Sequence, residues 1–124
     1  MFVGVCRITL RLEGIGSLKA KRSVVRRAVE RTRAKFNATV AEVDANDSLS
    51  RTVIGAAVVS NSAAHTDAML ARICSFVEWL ALAPVTDIRT EVIALGDGIG
   101  EGDPGPRRWE GDREDDAAAE EEPW

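Results

Sequence analysis

The sequence contains no tyrosine, a single histidine and two cysteines, and only 5% of it is aromatic. Each scarcity narrows the functions open to it. His65 stands beside no cysteine and far in sequence from Cys6 and Cys74, which is too thin a donor set for a zinc site. No metal and no small-molecule cofactor are therefore expected. Both cysteines lie in apolar stretches and read as buried free thiols rather than as halves of a disulfide. A Ser-His-Asp or Cys-His arrangement assembles in space, so sequence leaves it open. Nothing here favours one, and His65 reads as a helix-start residue. No apolar run approaches the ~20 residues of a membrane helix. Arg7 interrupts the N-terminal apolar stretch too early for a signal peptide. The expectation is a cytoplasmic protein without a membrane partner.

Charge is present but divided. Residues 1–95 hold 13 Lys and Arg against 9 Asp and Glu, whereas residues 96–124 hold 3 Arg against 11 acids. The whole-chain charge of −4 therefore hides a basic domain and an acidic tail. A length of 124 residues suits one core. The expected division is a domain over 1–95 and, over 96–124, a Gly/Pro linker with a disordered acidic tail.

Within the domain, Phe2 to Leu12 alternates with a period of two and reads as a strand. Ser17 is a candidate N-cap for a helix from Leu18 to Lys35, whose apolar stripe is Leu18, Val25, Ala28, Val29, Thr32 and Phe36. Asn37 is expected to end it in a left-handed cap. Strands follow over Ala38–Asp44 and Thr52–Ser60, joined by the turn residues Asn46-Asp47-Ser48. Asn61-Ser62 caps a helix from Ala63 to Leu82, Pro84 stops it, and Val85–Leu95 is the last strand. The order β-α-β-β-α-β, with two apolar helix faces to cover, predicts an α+β ferredoxin-like sandwich: a four-stranded antiparallel sheet with both helices on one face.

Several segments, taken together, resemble a known family. These are Val3-Gly4-Val5, Gly16-Ser17-Leu18-Lys19-Ala20-Lys21-Arg22, Arg33-Ala34-Lys35-Phe36-Asn37, Val40-Ala41-Glu42-Val43-Asp44 and Gly55-Ala56-Ala57-Val58-Val59-Ser60-Asn61. In this order they are similar to the YlxP-like family of uncharacterised bacterial proteins, across roughly residues 1–95. The resemblance implies a ferredoxin-like fold. By the frequent placement of such genes beside translation initiation and ribosome maturation factors, it also implies a role near RNA or the ribosome. It carries over no catalytic residues. One departure is the hairpin loop Asp47-Ser48-Leu49-Ser50, which lacks the aromatic that often follows its Asp. The acidic tail lies outside the shared region.

The residues themselves point to phosphate. Ten of the sixteen basic residues fall between Arg7 and Lys35. On a helix, Lys19, Arg22, Arg26 and Arg33 form one line beside the apolar stripe, and Arg27, Arg31 and Lys35 form a second. Such a surface gives salt-dependent, sequence-independent binding to a phosphate backbone. The expected contacts are Lys19, Lys21, Arg22, Arg26 and Arg33, with Arg7 and Arg11 as lesser contributors. The plainer alternative is a solvated helix face. The turn Gly14 to Lys19 reads as a tight turn plus N-cap rather than a phosphate loop, since it lacks the dinucleotide and Walker patterns. Glu42, Asp44 and Asp47 read as a solvated turn rather than a paired-carboxylate site.

The helix-free sheet face should carry Arg7, Thr9, Arg11, Asp87, Arg89 and Glu91. It offers no aromatic, so base stacking on the sheet is rejected. Val3, Val5 and the apolar third strand suggest that a second copy covers part of it. The tail reads either as a solubilising spacer or as an acidic mimic folding back on the basic helix. The expected function is that of a non-enzymatic accessory protein associated with ribosomal RNA or the ribosome. The alternative is a homodimeric interaction module with an acidic protein partner.

Overall fold

The computed structural model describes residues 1–96, so the tail expected from the sequence lies outside the described residues. Alternating apolar positions form β1 (Phe2–Arg11), which turns at Gly14 into α1 (Leu18–Lys35). β2 (Thr39–Asp44) and β3 (Arg51–Ser60) make a hairpin, α2 (Ala63–Leu80) crosses back, and β4 (Val85–Ala94) closes the sheet. The strand order is β2-β3-β1-β4 and every pairing is antiparallel. This is the expected ferredoxin-like arrangement, a β-α-β-β-α-β sandwich.

The core lies between the sheet and the helices. Cys6, Ile8 and Leu10 of β1, Ile54 and Val58 of β3, and Val40 of β2 meet Val29 of α1 and Leu70, Ile73 and Val77 of α2. Removing side chains of this size from water stabilises by about 1.5–3 kcal/mol each. α2 sits close because Gly4 has no side chain: a Cβ there would collide with Thr66 Cγ2 and lie 3.0 Å from Leu70 Cδ1. β4, an edge strand, is left bare on most of its length.

Both N-caps form as expected. Ser17 Oγ accepts from the Ala20 amide and Ser62 Oγ from the His65 amide, each at 3.1 Å. The C-termini differ from expectation. α1 does not end in a left-handed Asn37. Its cap is Phe36 in an extended conformation, φ −123°, because Phe36 is half-buried and packs its ring against the core. α2 stops at Leu80, two residues early, where Ala81 adopts the left-handed conformation at φ 52°. Leu18, expected on the apolar stripe, is exposed, and Lys21 takes the buried place instead.

Candidate nucleic-acid interface

α1 carries eight basic residues and one acid, Glu30. A helix that packs against a sheet needs only a narrow apolar stripe, here Val25, Ala28, Val29 and Thr32, and leaves the remaining arc to solvent. Lys19, Arg22, Arg26, Arg27 and Arg31 occupy that arc and are exposed. Among the described residues none of them has a carboxylate within salt-bridge distance.

The structure divides the residues expected to act together. Lys19, Arg22, Arg26 and Arg33 share one flank of α1, the flank beside β2. Arg33 reaches that strand, donating to the Val40 carbonyl from Nε at 3.1 Å and from Nη2 at 2.7 Å, and it remains exposed. Lys21 belongs to the interior. It is 1% exposed, and its ammonium donates to the carbonyls of Ala45 and Asn46 while pairing with Glu42 at 3.2 Å. Glu42 also accepts from Thr52 Oγ1. Lys21 thus fastens α1 to the β2–β3 hairpin and has no donor left for a phosphate. Its spacing held the signal, since Lys21, Val25, Ala28 and Thr32 recur at intervals of four, three and four.

Arg7 and Arg11 point from the helix-free side of the sheet, so the sheet separates them from α1. Arg7 pairs with Asp44 at 2.8 Å and Arg11 with Glu13 at 2.9 Å. Arg7 stands opposite Gly55 and Asp44 opposite Val53, so their ion pair bridges across β3. The Ala45 amide, donating at 2.7 Å, holds the Asp44 carboxyl below the ordinary carboxylate range, assisted by the charges of Arg51 and Arg7. Glu42 and Asp44 are thereby engaged with different partners and form no carboxylate pair. His65 is exposed on the first turn of α2. Among the described residues no three His, Cys, Asp or Glu side chains gather as metal ligands.

Three features were not apparent in the sequence. Cys6 of β1 and Cys74 of α2, both free and buried, lie beside one another in the core where α2 crosses β1. That contact, with burial, pushes the Cys6 thiol well up. The helix-free sheet face holds a shallow hollow of about 490 Å3 around Val5, Arg7, Val43, Gly55 and Ala57. On the outer side of the helices, Lys35, Phe36, Arg72, Phe76 and Trp79 border a groove of about 610 Å3.

The family described as "Protein of unknown function (DUF503)" matches residues 3–90, which span every residue of the site above. The chain belongs to this family. The uncharacterised protein YlxP of Bacillus subtilis is 38% identical over 76 residues, covering 61% of this chain and 83% of its own. An Agrobacterium tumefaciens protein solved by X-ray crystallography aligns at 15% identity and a TM-score of 0.36, over 84% of this chain and 98% of its own, too loosely to inform fold or function. Among the described residues, no helix is long and apolar enough to cross a membrane.

Proposed function

We propose that this DUF503 protein is an RNA- or ribosome-associated accessory protein that holds phosphate backbone on the exposed face of α1. One observation carries the reading: Lys19, Arg22, Arg26 and Arg33 line one flank of α1 and form no salt bridge among the described residues, and the single acid of the helix, Glu30, is too little to neutralise them. Arginine suits this role, because its planar fork can donate two hydrogen bonds to one phosphate. The contacts are Lys19, Arg22, Arg26 and Arg33. Lys21 supports them from below by fixing the helix to the hairpin. Arg7 and Arg11 serve a different surface.

The test is fluorescence anisotropy of the full chain with labelled structured ribosomal RNA at two salt concentrations, alongside the Lys19→Glu/Arg22→Glu/Arg26→Glu variant. Affinity should fall steeply with salt and vanish in the variant, each lost contact lowering the salt slope by about one. Salt-independent binding, or none at low salt, removes this reading. The same cations would also serve an acidic protein partner, which would bind the wild type and leave RNA unbound.

A second reading concerns assembly. Val3 stands opposite both Val59 and Ile93 on the helix-free face, and Val59 and Ile93 are 65% and 44% exposed. Pairing of two copies through this face would cover them. Sedimentation velocity of wild type and of Val59→Lys decides it: a dimer that the lysine disrupts supports the reading, and a monomeric wild type removes it.

A further inference from the structure

We infer that the groove between the end of α1 and the outer face of α2 is a stacking site for an unpaired nucleobase, giving the protein a preference for single-stranded over duplex RNA. This rests on the RNA reading above and names the RNA it would select.

The argument begins with Trp79. It is 71% exposed, although an indole is the costliest side chain to leave in water. It is also held in place. Its ring stacks on Phe76 with centroids 5.9 Å apart and planes 23° from parallel, and Phe76 is met edge-on by Phe36 at 5.5 Å and 75°. The three rings form a platform anchored at its inner end by the half-buried Phe36. Beside it, Ala71 and Ser75 are exposed and small, which leaves room on the helix surface for a flat group.

The rim is cationic. Lys35 Nζ lies 5.7 Å from the centre of the Phe76 ring, and Arg72 stands one turn before Phe76 on the same face of α2. Neither has a carboxylate partner among the described residues. Arg31 and Arg27 continue from Lys35 back along α1 at helical spacing, so a second line of positive charge, on the flank away from the Lys19-Arg22-Arg26-Arg33 contacts, runs up to the rings. The nearest acid in sequence, Glu78, borders a different depression beyond Ala81. A flat π-surface flanked by cations matches one chemistry closely: a base exposed at its face, with a phosphate on either side. A duplex keeps its bases stacked internally and offers this groove only phosphates.

The groove shares no residue with the hollow on the helix-free sheet face, which is lined by no aromatic. Stacking on it would be tolerant of sequence, because every base has a π-face.

The test is anisotropy of the full chain with a labelled mixed-sequence single strand and with a duplex of the same length, for wild type, Trp79→Ala and Trp79→Phe. Trp79 is exposed, so neither change threatens the fold. Wild type should prefer the single strand. Trp79→Ala should lose about tenfold of that affinity with duplex binding unchanged, and Trp79→Phe should recover most of it. The indole N–H signal of Trp79 should shift on adding single strand but not duplex. If RNA binds but Trp79→Ala weakens both forms equally or neither, the stacking inference fails while the phosphate reading stands. If no RNA binds at all, the phosphate reading fails and this falls with it. If the indole signal ignores RNA and moves instead when Trp124 is changed to Ala in the full chain, the groove belongs to the chain's own acidic C-terminal segment and the inference is overturned.

Discussion

The two helices are each 18 residues long and lie on the same sheet, yet they are built oppositely. α2 buries Leu70, Ile73, Cys74 and Val77 and has a single basic residue. α1 buries only Ala28, Val29, Thr32 and, unusually, a lysine, and spends its remaining surface on charge. The difference shows how little of a helix the fold requires. Once a stripe of three or four residues is covered, the rest of α1 is free to carry an electrostatic surface that contributes almost nothing to stability. α2 supplies the greater part of the helical contribution to the core.

The sharpest way to break this contrast is at Lys21, the one α1 cation that is buried. Lys21→Met should destabilise by about 3 kcal/mol, because it leaves the half-shielded Glu42 without its counter-charge. Urea denaturation would measure it. A loss under 1 kcal/mol would mean that Lys21 is no more structural than its exposed neighbours, of which Arg26→Ala should change stability by no more than ~0.5 kcal/mol. Next in size is Gly4→Ala, which pushes a methyl into Thr66 and should cost about 2 kcal/mol through α2 alone. If the thermal midpoint is unmoved, α2 does not rest on that glycine.

The helix ends give a smaller contrast. Ala81→Gly should add about 1 kcal/mol by relieving a left-handed alanine, whereas Asn37→Gly at the end of α1 should add nothing, since α1 closes on an extended Phe36. Equal gains at both positions would contradict the difference in capping. Smallest is the exposed Arg7–Asp44 pair set against the buried Lys21–Glu42 pair. The Asp44 carboxyl is depressed, so its contribution is present above the unfolded aspartate value of ~3.9 and is lost as the pH falls below it. Asp44→Asn should flatten the acid limb of a stability–pH curve slightly. An unchanged limb would show that the pair contributes nothing.

The element order, the sheet topology and both serine caps were legible because alternation, helical spacing and cap chemistry are local signals. The details missed are those in which a distant part of the chain chooses between locally equivalent options. Asn37 is a sound left-handed cap by propensity, but the core claims the ring of Phe36 one residue earlier and sets the backbone there. Lys21 looked like one cation among many. Only the hairpin carbonyls of Ala45 and Asn46, with Glu42, make its burial possible. Phe76 and Trp79 lie off the Leu70-Ile73-Val77 stripe by spacing, but their stacking on each other and on Phe36 joins α1 to α2, a contact that the periodicity of either helix does not show. Cys6 and Cys74 are 68 positions apart in sequence, and their contact follows from α2 crossing β1.

The place of β1 has a consequence for synthesis. It lies at the centre of the sheet, bonded to β3 on one side and β4 on the other. Neither neighbour exists until residues 51–60 and 85–94 have been translated, a wait of seconds at roughly 5–20 residues per second. Through that interval an apolar strand has emerged with both its edges unpaired. The basic helix that follows it is already made and keeps the nascent segment strongly charged. The chain's most electropositive stretch thus accompanies an unpaired apolar strand during the time when self-association must be avoided.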